Sequence, residues 1–162
     1  MRLALFRLPS VALGLSLVAS SLLPVLAYAA ASQGILSQVE SDHIIDRGES
    51  AARGLSAKVC IAVVDPSGLL VGFKRMDDAP PGCIDSSILK ARAAALYRAP
   101  TVRFMERANG KEPAIAQLPG MIALGGGTPV ERDGAVVGAV GVSGSANPNE
   151  VKISEQAAAA GL

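Results

Sequence analysis

Aromatic side chains are nearly missing from this chain, at 3% of its 162 residues. A core built from it has to rest on Val, Ile, Leu and Ala. Such a core packs helices closely on a sheet and leaves few flat platforms on which unpaired bases could stack. An excess of charge is lacking too. The formal net charge is +1, and without the N-terminal Arg2 and Arg7 the remainder carries 13 basic and 14 acidic residues. That balance provides no electrostatic footprint for nucleic acid or an anionic membrane surface. There is one histidine, His43, and two cysteines, whose spacing matches no zinc pattern and has no second His to complete one. Gly141-Val142-Ser143-Gly144-Ser145 lacks the last glycine of a nucleophile elbow, and the sole imidazole lies far upstream. Gly125-Gly126-Gly127 has neither the spacing nor the following helix of a dinucleotide loop, and no Walker lysine follows it. Hydrolase and nucleotide-dependent chemistry are therefore disfavoured.

What is present begins with an export signal. Arg2 and Arg7 precede an apolar run from Val11 to Leu26, and Ala27-Tyr28-Ala29 supplies a small-residue cleavage site. The expectation is a signal peptide over 1–29, cleavage after Ala29, and a periplasmic or secreted domain over 30–162. The apolar run is short for a membrane span, and an uncleaved anchor is the alternative. No membrane association is expected after cleavage. Cys60 and Cys83, an even pair in an exported chain, read as one disulfide. Two separate thiols, with Cys60 buried in a strand, are the alternative. A bridge requires Cα atoms roughly 4.4 to 6.8 Å apart and would stabilise the fold by roughly 3 kcal/mol.

Periodicity orders the elements. Ser37 to Leu55 reads as a helix with Ile44, Ile45, Gly48, Ala51, Ala52 and Leu55 on one face and Asp42, Glu49 and Arg53 opposite. Lys58 to Asp65 is a buried strand, Pro66-Ser67-Gly68 a turn and Leu69 to Met76 a returning strand. Asp85 or Ser86 caps an alanine-rich helix that reaches Arg98, and Thr101 caps a short one ending near Asn109-Gly110. Met121 to Leu124 reads as a strand. Asp133-Gly134 closes a tight hairpin, since glycine accepts the positive φ that such turns need. Asn147-Pro148-Asn149-Glu150 opens the last helix, with Asn147 as cap and Glu150 completing a capping-box-like pair. Gly138, Gly141 and Gly144 strip side chains from the second hairpin strand, so a helix or a ligand must pack close to that backbone. Strand pairs joined by short turns, with helices around them, predict a single α+β domain: an antiparallel β-sheet packed against α-helices.

Four motifs carry a resemblance. They are Val63-Val64-Asp65-Pro66-Ser67-Gly68-Leu69-Leu70, Lys74-Arg75-Met76-Asp77-Asp78-Ala79, Lys90-Ala91-Arg92-Ala93-Ala94, and the glycine loop with its hairpin from Gly126 to Gly144. In this order the chain resembles the GlcG/HbpS family of haem-binding and haem-degrading-like proteins, related to the PduO C-terminal domain. It departs from the family pattern at Asn147 to Glu150, where acidic residues are common, and at His43, where a small residue is usual. The resemblance implies a profilin-like GlcG-type sandwich and an exported haem-binding protein for haem sequestration, sensing or delivery, more a binder than an enzyme. It also implies a homo-oligomer.

Several side chains could serve haem. His43 is the candidate axial ligand, although it lies across the helix from the main apolar stripe, beside Leu36 and Val39. Met76 and Tyr97 are alternative axial donors, and each is equally a packing residue. Arg75, Lys90 and Arg92 could hold propionates as charge-assisted donors or form structural ion pairs. Gly126 and Gly127 would let a ligand approach the backbone. A competing reading is a small-molecule enzyme or sensor for a small carboxylic acid, with Asp65, Arg75, Asp77 and Lys90 converging under the glycine loop. A purely structural assembly module is a third.

Overall fold

Ser37 starts the first helix by a reciprocal cap. Its hydroxyl accepts from the Glu40 N–H at 3.3 Å, while the Glu40 carboxylate accepts from the Ser37 N–H at 2.7 Å, which satisfies two donors a helix start leaves open. Helix α1 then runs Gln38–Gly54 and buries Ser41, Ile44, Ile45, Gly48 and Ala52. The structure, a computed structural model, describes residues 34–159. The expected leader and its cleavage site lie outside them.

A four-stranded antiparallel sheet follows, with β1 (Cys60–Val64), β2 (Leu70–Arg75), β3 (Gly127–Arg132) and β4 (Ala135–Ser143) in the order β2-β1-β4-β3. Alternation along the two central strands separates two layers. Ile61 pairs with Val142 and Val63 with Val140, and all four join Ile44, Ile45 and Ile153 in one core beneath α1 and α4 (Asn147–Ala158). Burying each such branched side chain stabilises the fold by about 1.5–3 kcal/mol. The opposite face is made of small residues. Ala62 pairs with Gly141 and Val64 with Ala139, under α2 (Cys83–Tyr97), which presents Ala91, Ala94 and Ala95.

Two glycines of β4 explain how closely the chain packs on the sheet, Gly141 on the α2 face and Gly138 on the other. A Cβ placed on Gly141 would stand 2.0 Å from the Ser87 carbonyl oxygen and 2.5 Å from the Ala91 nitrogen, while one on Gly138 would meet Leu36 Cδ1 at 2.3 Å. Protein, a helix in the first case, is what packs on this backbone. Asp133 and Gly134 both take positive φ, 51° and 77°, as the two-residue hairpin requires.

The disulfide joins Cys60 at the start of β1 to Cys83 at the start of α2, with Cα atoms 5.4 Å apart. Where the expectations fail, tertiary contacts decide. Helix α2 begins at Cys83, before Asp85 and Ser86, and Gly82 caps it without a side chain. The Ser86 hydroxyl instead accepts from Ser143 across the layer. Thr101 is the first residue of α3 (Thr101–Asn109) rather than its cap. Met121 to Leu124 forms no strand. Four apolar residues do not distinguish strand from irregular chain, and this stretch pairs with no neighbouring strand among the described residues. A short 3-10 turn, Pro113–Gln117, precedes it.

Candidate functional site

Lys90 lies on the small-residue face of α2, one turn from Ser87 and Ala94, so folding carries its ammonium under the sheet. It is 1% exposed, and its Nζ donates to Glu150 Oε2 at 2.6 Å and to the Val142 carbonyl at 3.2 Å. Glu150 comes from the first turn of α4. Its Oε1 accepts from the Gly144 and Ser145 N–H groups at 2.7 and 3.1 Å, and its Oε2 from the Asn147 amide at 3.2 Å. Asn147 also donates to the Gly125 carbonyl at 2.9 Å, and Thr101 Oγ1 accepts from the Gly127 N–H at 2.9 Å. The glycine loop is thus tied down by side chains of two helices, Thr101 and Asn147. A buried charge is tolerated only when paired and hydrogen-bonded in this way.

This centre corrects several expectations. Asn147 and Glu150 do not form a cap; both are turned to the glycine loop and Lys90. Gly126 has φ +111°, and a Cβ on it would lie 2.7 Å from the Val142 carbonyl oxygen and 3.3 Å from Lys90 Nζ; one on Gly127 would lie 2.3 Å from the Lys90 carbonyl oxygen. The space that these glycines vacate is filled by the protein itself. Lys90 is enclosed, and its partner at the centre is a carboxylate of the chain. Sequence reasoning missed Glu150, Asn147 and Thr101 in these roles. The available signal was a lysine at the spacing of a buried alanine face, which demands an acid from elsewhere in the chain.

The remaining candidates are dispersed. Asp65 Oδ1 accepts from the Ser67 and Leu69 N–H groups at 2.8 and 2.9 Å and shapes the β1–β2 turn. Arg75 sits at the other end of that hairpin, paired with Cys60 in the register, and donates Nε and Nη2 to the Ala79 carbonyl at 3.2 and 2.7 Å. Asp65, Arg75, Asp77 and Lys90 therefore do not converge under the glycine loop, because the hairpin holds its two ends apart and Lys90 is sealed within. Met76 is a buried core residue. The Tyr97 hydroxyl donates to the Pro119 carbonyl at 2.7 Å, and its ring packs edge-on against Phe104 at 5.7 Å. Arg92 points outward from α2 over Gly68 of the turn.

His43 is exposed on the outer side of α1. Val39, one turn before it, is 65% exposed, and Ile35, just ahead of the helix, is 64% exposed; Arg47 follows one turn later, its Nε 3.5 Å from the His43 carbonyl oxygen. Leu36, expected beside this ridge, is instead buried against Gly138. No group of three or more His, Cys, Asp or Glu that could hold a bare metal ion occurs among the described residues. No helix among them is long and apolar enough to cross a membrane.

The family model "Haem degrading protein HbpS-like" matches residues 36–159. Protein GlcG of Escherichia coli K12 is 42% identical over 109 residues, which span 67% of this chain and 81% of GlcG. A crystal structure of a Streptomyces reticuli HbpS double mutant superposes with a TM-score of 0.74 at 28% identity, covering 90% of this chain and 97% of that one. The PduOC:haem complex superposes with a TM-score of 0.70 at 22% identity, over 78% and 94% of the two chains, and shares the fold. With the family model spanning the whole sheet and every helix that packs on it, the chain belongs to the HbpS-like family.

Proposed function

We propose that the protein is an exported haem binder that uses the outer face of α1. The observation that carries this reading is the position of His43, exposed in line with Val39 and ahead of Arg47. The imidazole supplies an axial nitrogen, the donor most common for haem iron. Val39 and Ile35 offer apolar contact, and Arg47 a cation for a propionate. A single ridge leaves the second face of a macrocycle in water, so a further copy of the chain completes the site in a homo-oligomer. Membership of a family described by haem supports the ligand. The Cys60–Cys83 bridge supports export, because disulfides persist in oxidising compartments.

Haemin titration of the chain beginning at Ala30 tests the ligand. A saturable Soret shift is expected, with affinity reduced about tenfold or more in His43→Ala, a difference of about 1.4 kcal/mol, and retained in Met76→Ala and Tyr97→Phe. A shift identical in all three variants, or none in the parent, removes the assignment. Amino-terminal sequencing of the periplasmic fraction tests export: a start at Ala30 is expected, and an intact Met1 overturns it.

A further inference from the structure

Lys74 and Arg75 end the edge strand β2 and point to opposite faces of the sheet. Lys74 Nζ lies 3.2 Å from Glu49 Oε2, and Arg53 Nη2 donates to Glu49 Oε1 at 2.7 Å. Hydrogen bonds from Arg53 and then Lys74 hold the Glu49 carboxyl below the usual carboxylate value. Arg75 is steered by its double donation to Ala79. Lys58, just ahead of β1, makes no salt bridge among the described residues. These side chains and Asp77 surround a cavity of about 290 Å³. Four cationic and two acidic residues line it, with the Arg75 guanidinium turned to Ala79, a local excess of positive charge in a chain that is otherwise balanced.

The cavity is at the small end of ligand pockets, which run from about 300 Å³ upward. Its walls are charged, which suits a compact polar ion and not a porphyrin. We infer that it binds a small oxyanion carrying two or more negative charges, with Lys58, Lys74 and Arg53 as donors. Inorganic phosphate and short dicarboxylates share this chemistry. Charge-assisted hydrogen bonds supply the affinity. Glu49 is a positioning residue that holds Arg53 and Lys74 in place, and Asp77 opposes the anion. The site lies toward the far end of α1 from His43, with Arg53 about 15 Å from it along the helix axis, and does not depend on the haem reading.

Calorimetric titration with inorganic phosphate and, separately, with succinate tests it, at constant ionic strength maintained with chloride. Saturable binding of either anion is expected, and the preferred one distinguishes a tetrahedral oxyanion from a dicarboxylate. Lys58→Gln should weaken binding about tenfold, while Asp77→Asn should tighten it severalfold, a gain that misfolding cannot produce. Arg107→Gln, in a remote exposed pair with Glu112, should leave it unchanged. Absence of saturable heat with both anions, or affinity indifferent to Lys58→Gln and Asp77→Asn, overturns the assignment.

Discussion

Glu150 accepts five hydrogen bonds, among them those from the buried ammonium of Lys90 and two backbone N–H groups. Removing one partner strands the other in the interior. Lys90→Met should therefore destabilise the fold by about 3–5 kcal/mol, read as a fall in the urea midpoint at unchanged slope. The double change Lys90→Met with Glu150→Gln should recover part of that loss, because no net charge remains buried. Equal stability of the single and double variants would show that the pair is not the source of the cost. Gly141 sets a second residue-scale constraint. Its missing side chain is where the α2 backbone lies, so Gly141→Ala should cost at least the upper part of the roughly 1–3 kcal/mol typical of overpacking. Gly134, with nothing near its Cβ position, should tolerate alanine at the smaller cost of a positive φ.

At the scale of elements, α1 is the helix whose entry is specified by its own sequence. Ser37 and Glu40 satisfy each other's neighbouring N–H groups, and Ser37→Ala should lower stability by about 1 kcal/mol, measurable as a shift in thermal midpoint. A variant as stable as the parent would show that Glu40, which also pairs with Arg132 of β3, holds the helix start alone. Helix α2 differs. It has no side-chain cap and a mixed polar and apolar outer surface, and it is held by alanines against alanines and glycines and by its disulfide to β1. Its position is a property of the layer, not of the segment.

For the molecule as a whole, the disulfide closes a loop over a separation of 23 residues. Cys60→Ser with Cys83→Ser should cost about 2–5 kcal/mol, and reductant should lower the parent's melting temperature toward that of the double variant. An unchanged melting temperature would place the stability elsewhere. Acid should act globally as well. Glu40 is held below the usual carboxylate value first by the Ser37 N–H, Glu49 first by Arg53, and Glu112 first by Arg107. A depressed folded value means that the folded state favours the ionised form. That contribution is fully present above the reference value of 4.5 and is lost as pH falls through the lower folded values. Melting temperature should thus decline as pH is taken from 5 to about 3, and less steeply in Glu49→Gln. A parallel decline in both proteins would exclude Glu49 from the effect.

Much of this architecture was legible along the chain because it rests on local rules. The branched run from Val59 to Val64 can only be a buried strand, Asp133-Gly134 only a tight reversal, and the stripe through Ile44, Ile45, Gly48 and Ala52 only a helix on a core. The glycines of β4 announced a close neighbour, and an even pair of cysteines behind an expected export signal pointed to a bridge. Four motifs in order carried the family. What the chain could not disclose was the pairing of groups far apart in sequence. Lys90 and Glu150 are separated by 60 residues, and neither helix alone shows which acid meets which base. The same holds for Thr101 with the glycine loop, for Lys74 with Glu49, and for the burial of Leu36 against Gly138. Those partnerships follow from how the layers stack, since burial, and not the local pattern, decides which polar groups must find one another.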